Sequence, residues 1–243
     1  MDTNMIIVIV RTRDEERRIA KFCESYKDAD MILVADGGSV DNTVAIAETF
    51  PNVAVRHYPC RTKLRGGHWR NNDSDHVNWL INWAKEYSPA WIILDDCDCR
   101  PNYLLKKYYR AILSGTDSDF VMVTRLYLWG TDQHFPHLAK PAEKHRFYEP
   151  SLWAWRGDID FWTVDVPPAF TFRIGELDVK DLHFDAKTLD LFPPYALLHL
   201  SWDDPDRVEK KIRVYRESGL IPGMLHPLDM GGPLEPLPDF LRE

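Results

Sequence analysis

Runs of apolar residues without alternation recur along the first half of the chain: Met5–Val10, Met31–Ala35, Trp91–Leu94 and Phe120–Thr124. Such runs, bounded by polar turns, predict strands buried on both faces, as in a parallel sheet covered by helices. Val53–His57 predicts a further, short strand. Between these runs the apolar period becomes helical. Ile19, Phe22, Cys23 and Tyr26 form one stripe behind Asp14-Glu15-Glu16, whose acids suit the first turn of a helix. The turn Asp36-Gly37-Gly38-Ser39-Val40-Asp41-Asn42-Thr43 leads into a helix over 43–50, with Ser39 or Asp41 as N-cap. A third helix packs Val77, Leu80, Ile81 and Ala84, its apolar face widened by Trp79 and Trp83. Pro101 opens a fourth, carrying Tyr103, Leu104, Leu105, Tyr108, Ile112 and Leu113. Strand and helix thus alternate, which specifies an α/β fold with a mostly parallel sheet and helices on both faces. Its strand ends deliver polar residues to one edge.

From Tyr127 to Trp202 the alternation fails, and Trp, Phe, Tyr, Pro and His dominate short segments. Asp203-Asp204-Pro205 then opens a last helix with Val208, Ile212 and Tyr215 inward, stopped by Gly219. The expected organisation is a single domain over 1–219 and a Pro/Gly-rich tail over 220–243, lying on the surface.

Composition changes this picture little. The apolar fraction of 44% in 243 residues is that of an ordinary globular protein with a sizeable core. A net charge of −8 without a polybasic block argues against broad nucleic-acid binding. The four cysteines have neither zinc-like nor CxxC spacing, so reduced thiols in a cytoplasmic protein are expected. Met5–Val10 is too short for a signal peptide or a transmembrane segment.

Candidate chemistry gathers at the strand ends. Asp95, Asp96 and Asp98 follow Trp91–Leu94 at the edge where open α/β sheets bind ligands. Carboxylates this crowded repel, and a hard divalent cation, Mg²⁺ or Mn²⁺, relieves them and suits phosphates. Arg56, Arg61, Lys63, Arg65 and Arg70 form a basic loop in an acidic chain. The Gly37-Gly38 turn has neither dinucleotide-site nor P-loop spacing. Asp36 there would repel a phosphate, and its acid is better placed to accept from a ribose or a base N–H.

Four segments in order carry a resemblance. They are Arg11-Thr12-Arg13-Asp14-Glu15-Glu16 after the first strand, Asp36 to Thr43 after the second, Trp69-Arg70-Asn71, and Asp95-Asp96-Cys97-Asp98. Together they resemble the family 2 glycosyltransferases of the GT-A fold, over Met5 to Leu113 and again at His199-Leu200-Ser201. Asp14 departs from the Asn common there, and Trp69 from the small residue usual before the Arg. The resemblance implies that Thr12 and Glu15 lie beside the nucleoside, that Asp36 hydrogen-bonds the base, and that Arg70 sits near base or diphosphate. It implies a DxD pair in Asp96 and Asp98, with Asp98 the direct metal ligand, Asp96 nearer ribose or sugar, and Asp95 outside them beside the substrate. A register of Asp95 with Cys97 would put a soft thiolate where Mg²⁺ or Mn²⁺ needs oxygen. His199 would complete the metal ligands.

The implied activity is transfer of a sugar from a UDP- or GDP-linked donor to a carbohydrate acceptor, cytoplasmic or peripheral at a membrane through that acceptor. An inverting reaction also needs a base at the acceptor hydroxyl. Asp158, Asp160, Asp165, Glu176 and Asp178 are candidates, with Glu176 after Arg173-Ile174-Gly175 taken first. Trp153, Trp155 and Trp162 are candidates to stack on an acceptor sugar. Two rivals remain: a sugar-phosphate nucleotidyltransferase, although Arg11-Thr12-Arg13-Asp14 lacks the glycines it would want, and a catalytically silent nucleotide-sugar-binding module.

Overall fold

The computed structural model describes residues 4–59, 62–63, 69–70, 73–129, 133–134, 150–166, 169–174, 177–178, 187–202, 204–218, 235–237 and 239. The first half runs β1 (Ile6–Thr12), α1 (Ile19–Ser25), β2 (Met31–Asp36), α2 (Thr43–Ala47), β3 (Val53–His57), β4 (Thr62–Lys63), β5 (Trp69–Arg70) and α3 (Asp73–Lys85). It continues through β6 (Trp91–Leu94), β7 (Cys99–Pro101), α4 (Tyr103–Gly115) and β8 (Phe120–Trp129). The second half holds β9 (Gln133–His134), β10 (Pro150–Arg156), β11 (Trp162–Val166), β12 (Ala169–Ile174), β13 (Leu177–Asp178), β14 (Thr188–Leu191), β15 (Leu197–Trp202), α5 (Pro205–Ser218) and β16 (Glu235–Pro236).

The unbroken apolar runs become the parallel centre of the main sheet, in the order β3-β2-β1-β6. Both faces are covered, which is why these strands do not alternate. On one side Ile6, Val8 and Val10 of β1 pack with Ile19 and Phe22 of α1, with Tyr26 that caps its C-terminus, and with Leu105, Tyr109 and Leu113 of α4. On the other, Ile7 and Ile9 pack with Val77, Leu80, Ile81 and Ala84 of α3.

β10 is the departure from simple strand–helix alternation. It lies antiparallel between β6 and β8 and joins them. Its register on β8 slips between Leu152 and Ala154, so Trp153 is the extra residue of a bulge. The slip sends Trp153 to the α1/α4 side of the sheet and Trp155 to the α3 side. β15 extends the sheet differently, running parallel to β8 and antiparallel to β7. The small sheet β11-β12-β13 is held to α3 by Asn78, which accepts from Thr163 N at 2.7 Å and donates to Thr163 O at 2.9 Å. Within the region expected as a tail, Glu235–Pro236 pairs with β9, and Leu237 is buried with Leu126, Leu128 and Leu198.

Two helix starts differ from expectation. α4 is capped by Asn102, whose Oδ1 accepts from Leu105 N at 3.1 Å, rather than opened by Pro101. α1 begins at Ile19, so Asp14, Glu15 and Glu16 stand outside it. α2 likewise stops at Ala47, short of Phe50.

Candidate active site

The strand order reverses beside β1, and the C-terminal edge at such a reversal is the position that favours ligand binding in open α/β sheets. Parallel register places Thr12 of β1 directly beside Asp36 of β2, and Ile9 beside Leu94, the last residue of β6. Thr12, Asp36 and the acids after Leu94 therefore reach one edge together.

The acids expected in the first turn of α1 instead clamp the glycine turn. Asp14 N donates to Ser39 Oγ at 2.9 Å, and Val40 N donates back to Asp14 Oδ1 at 2.9 Å. Glu15 N donates to Thr43 Oγ1 at 2.7 Å, Glu16 N to Asp41 Oδ2 at 3.0 Å, and Asn42 N to Glu16 Oε2 at 3.3 Å. Asp14 has φ 55°, a left-handed conformation that Asn and Asp adopt more readily than most residues. Turn chemistry thus outweighed the helix dipole. Asp36 is buried and accepts from Gly38 N at 3.0 Å and Ser39 N at 3.1 Å, with His57 Nδ1 at 3.5 Å. Its carboxylate organises its own turn and keeps the turn's amides from serving as a phosphate cradle. Thr12 is only 3% exposed, and its Oγ1 has no hydrogen-bond partner among the described residues. A buried hydroxyl left so at a ligand-binding edge is available to one.

His76, buried on α3, stacks on Tyr58 with ring centroids 4.0 Å apart. Burial, then the charge of Arg11, pushes its pKa down to about 3, against an opposing pull from Asp36. As pH falls below the ordinary histidine range, the unfolded chain takes up a proton that folded His76 refuses, so stability drops. His76→Gln is expected to lose less of its urea midpoint between pH 7 and pH 5 than the parent protein. Equal losses would show that His76 takes no part in acid sensitivity.

The three acids separate by environment. Asp95 turns inward and is fully buried, accepting from Tyr26 Oη at 2.5 Å and from Asp96 N at 3.0 Å, with Arg125 at 3.9 Å. Burial pushes its pKa up to about 7, against the pull of Arg125 and the Tyr26 hydrogen bond. Trp153 Nε1 donates to Tyr26 Oη at 3.2 Å, so a buried chain runs from Trp153 through Tyr26 to Asp95. Tyr26→Phe would strip a donor from Asp95 and an acceptor from Trp153. It is expected to cost about 1–3 kcal/mol in chemical denaturation; an unchanged midpoint would show the chain to be incidental.

Asp96 faces outward, its side chain 35% exposed, with Arg11 Nη2 at 3.0 Å and Arg125 Nη1 at 3.6 Å. Burial favours the neutral acid, but the two guanidiniums outweigh it and hold the carboxyl below its ordinary range. Asp98, 12% exposed, lies 3.4 Å from His199 Nε2. Leu200 N donates to Asp98 O at 2.6 Å, and His199 is the cross-strand partner of Cys99 in the β7–β15 ladder. Tyr127 of β8 meets the His199 ring at a centroid distance of 4.9 Å. The late histidine is thus carried to the acidic turn by a strand pairing and held there from two sides. Burial raises the Cys99 thiol well above its ordinary range.

A match to the family described as Glycosyl transferase family 2 spans residues 7–165, more than half of the chain. The chain belongs to glycosyl transferase family 2. No curated protein matches it. Among solved structures, S. aureus TarS 1-349 is similar at a TM-score of 0.53 and 16% identity, over 91% of this chain and 67% of that one. That likeness shows the shared GT-A fold. TarS 1-349 in complex with UDP-GlcNAc aligns at 0.40 and 20% identity, over 51% of this chain and 35% of that chain. The chain therefore spans about a third of that relative's length. Glucosyl-3-phosphoglycerate synthase from Mycobacterium tuberculosis, in complex with Mn²⁺, UDP and phosphoglyceric acid, aligns at 0.44 and 17% identity, over 64% of this chain and 57% of that chain.

Within this family 2 chain, Thr12, Glu15, Asp36, Asp96, Asp98 and His199 meet at the edge or on the turn beside it. Glu15 is buried with Arg18 at 3.4 Å and acts on the edge through its backbone. Asp95 is inaccessible and supports the acidic turn from inside, which excludes direct contact with a substrate. Trp153 and Trp155 are fully buried in β10, so neither offers a face to an acceptor sugar. Arg56 leaves the expected basic cluster, pairing with Glu86 at 3.1 Å over the Trp83 ring. Asp158 and Asp160 are exposed, and Asp160 pairs with Lys85. Glu176 and the side chains of Arg70, Asp165 and Asp178 lie outside the described residues. Arg11, Tyr26, Cys99 and Arg125 were not singled out for the site from sequence. Arg125 had one available signal, a lone cation amid the apolar residues 120–128. Among the described residues no helix is long and apolar enough to cross a membrane.

Proposed function

We propose that this family 2 protein is a metal-dependent, inverting glycosyltransferase that moves a sugar from a UDP- or GDP-linked donor to a carbohydrate acceptor in the cytoplasm. The observation that carries the reading is the approach of His199 to Asp98, 3.4 Å apart at the C-terminal edge of the family's sheet. A carboxylate oxygen and an imidazole nitrogen, both part exposed, fit a divalent cation such as Mn²⁺ or Mg²⁺. When bound, that ion neutralises charge developing on the diphosphate leaving group.

The remaining work falls to the chain itself. Arg11 and Arg125 keep Asp96 ionised and aimed outward, toward ribose or donor sugar. Thr12 Oγ1 offers an otherwise unused hydroxyl to the nucleoside, while Asp36 holds the turn that shapes the base pocket. Arg70, on β5, is assigned to the base or diphosphate. Glu176 is assigned as the base: it takes the proton from the acceptor hydroxyl as that oxygen attacks the anomeric carbon and the nucleoside diphosphate departs. Protein assayed with Mn²⁺, a panel of UDP- and GDP-sugars and simple glycan acceptors should release the matching nucleoside diphosphate. Metal-dependent UDP or GDP binding without any turnover across the panel would instead favour a silent binding module.

A further inference from the structure

Beside Asp98 and His199 stands a sulfur that a Mn²⁺ or Mg²⁺ site does not call for. Cys99 is the residue directly opposite His199 in the antiparallel β7–β15 pairing, so both side chains leave the same face of that ribbon. A carboxylate oxygen of Asp98, Cys99 Sγ and a ring nitrogen of His199 all lie within 4.8 Å of one another. Cys99 is buried and forms no disulfide. One oxygen, one nitrogen and one sulfur from protein, with Asp98 and His199 part exposed, match the donor count of a zinc site that keeps a position open. A soft sulfur favours zinc-like ions, and nitrogen–oxygen donors already rank Co²⁺ and Zn²⁺ above Mn²⁺.

We propose that Asp98, Cys99 and His199 bind a borderline-soft divalent cation, Zn²⁺ or Co²⁺, more tightly than Mn²⁺ or Mg²⁺, with Cys99 as the sulfur ligand. The inference rests on the reading of Asp98 and His199 as a metal site and deepens it by naming the class of ion. Coordination replaces the thiol S–H bond by a sulfur–metal bond, and the proton passes to solvent. Zn²⁺ then competes with Mn²⁺ for the diphosphate end of the donor site.

Titrating the full chain with Co²⁺ tests this. Wild-type protein should develop a thiolate-to-cobalt charge-transfer band in the near ultraviolet. The band should persist in Cys97→Ser, disappear in both Cys99→Ser and Cys99→Ala, and be abolished by Zn²⁺ but not by equimolar Mn²⁺. Cys99→Ser should weaken Co²⁺ binding roughly tenfold or more while leaving Mn²⁺ binding within about threefold. Co²⁺ that binds wild-type protein without the band, or a band that survives in Cys99→Ser, overturns the sulfur ligand and leaves the metal site standing. No binding of either Co²⁺ or Mn²⁺ overturns both. The wild-type spectrum decides the first point even if a Cys99 variant fails to fold.

Discussion

Asp98→Ala is expected to abolish metal-dependent binding of UDP- or GDP-sugars. Asp98 supplies the oxygen beside His199 Nε2, and among the described residues no neighbouring carboxylate is placed to replace it. Asp96 is committed to Arg11 and Arg125, and Asp95 is buried against Tyr26. Affinity in the presence of Mn²⁺ should fall about 100-fold or more, since even outer-shell partners of a metal ligand cost roughly 10–100-fold. The weak binding that remains should not respond to Mn²⁺. Asp36→Ala should behave differently, weakening nucleotide binding with and without metal, because it loosens the turn rather than the ion site. Calorimetric titrations with UDP and GDP, with Mn²⁺ and with chelator, separate the two. Undiminished metal-dependent binding by the Asp98 variant would sink the site assignment.

Arg125→Ala should be the most costly single change to the acidic turn's stability. Arg125 spans Asp95 at 3.9 Å and Asp96 at 3.6 Å, and Asp95 has no access to solvent. Removing the guanidinium raises the Asp95 pKa further, so that the buried acid must take up a proton, and leaves Asp96 with Arg11 alone. The expected loss is roughly 3 kcal/mol, near the lower end for breaking a buried ion pair because Asp96 is partly screened by water. Adding Asp95→Asn should restore part of it by replacing an acid that has lost its cation with a neutral amide of the same shape. Urea denaturation of the single and double variants measures both effects. A loss below about 1 kcal/mol would make Arg125 no more than an ordinary surface partner.

The parallel centre of the sheet was legible because its strands are buried on both faces, which writes itself as Ile-Ile-Val-Ile-Val or Trp-Ile-Ile-Leu. Asp36, Asp96 and Asp98 were legible for a related reason, since parallel strands end together and their last polar residues must share an edge. What sequence concealed depended on partners far along the chain. Arg125 was missed because its strand reads as ending at Thr124, whereas pairing with β15 carries β8 on to Trp129. The tryptophans of β10 look like ligand platforms until the strand is placed between β6 and β8, where both faces are core. Asp14 to Glu16 has the composition of a helix start, yet its hydrogen bonds go to a turn about 25 residues away, a competition that local propensity does not register. His199 was found by resemblance alone; its partnership with Asp98 requires the β7–β15 ladder.

The position of β10 also has a consequence for how the chain acquires its shape. β6 and β8 are both translated before β10, yet among the described strands it is β10 that lies between them and joins β8 to β6. Until residues 150–156 emerge, each presents a bare row of backbone donors and acceptors to the surroundings. Closing them over Ile92↔Trp155 is a long-range pairing, slow compared with the local contacts of β1, α1 and β2. A nascent or truncated chain lacking β10 should therefore be the sticky species: one cut before Pro150 is expected to recruit chaperones or precipitate, while one that includes Arg156 can seal the centre of the sheet.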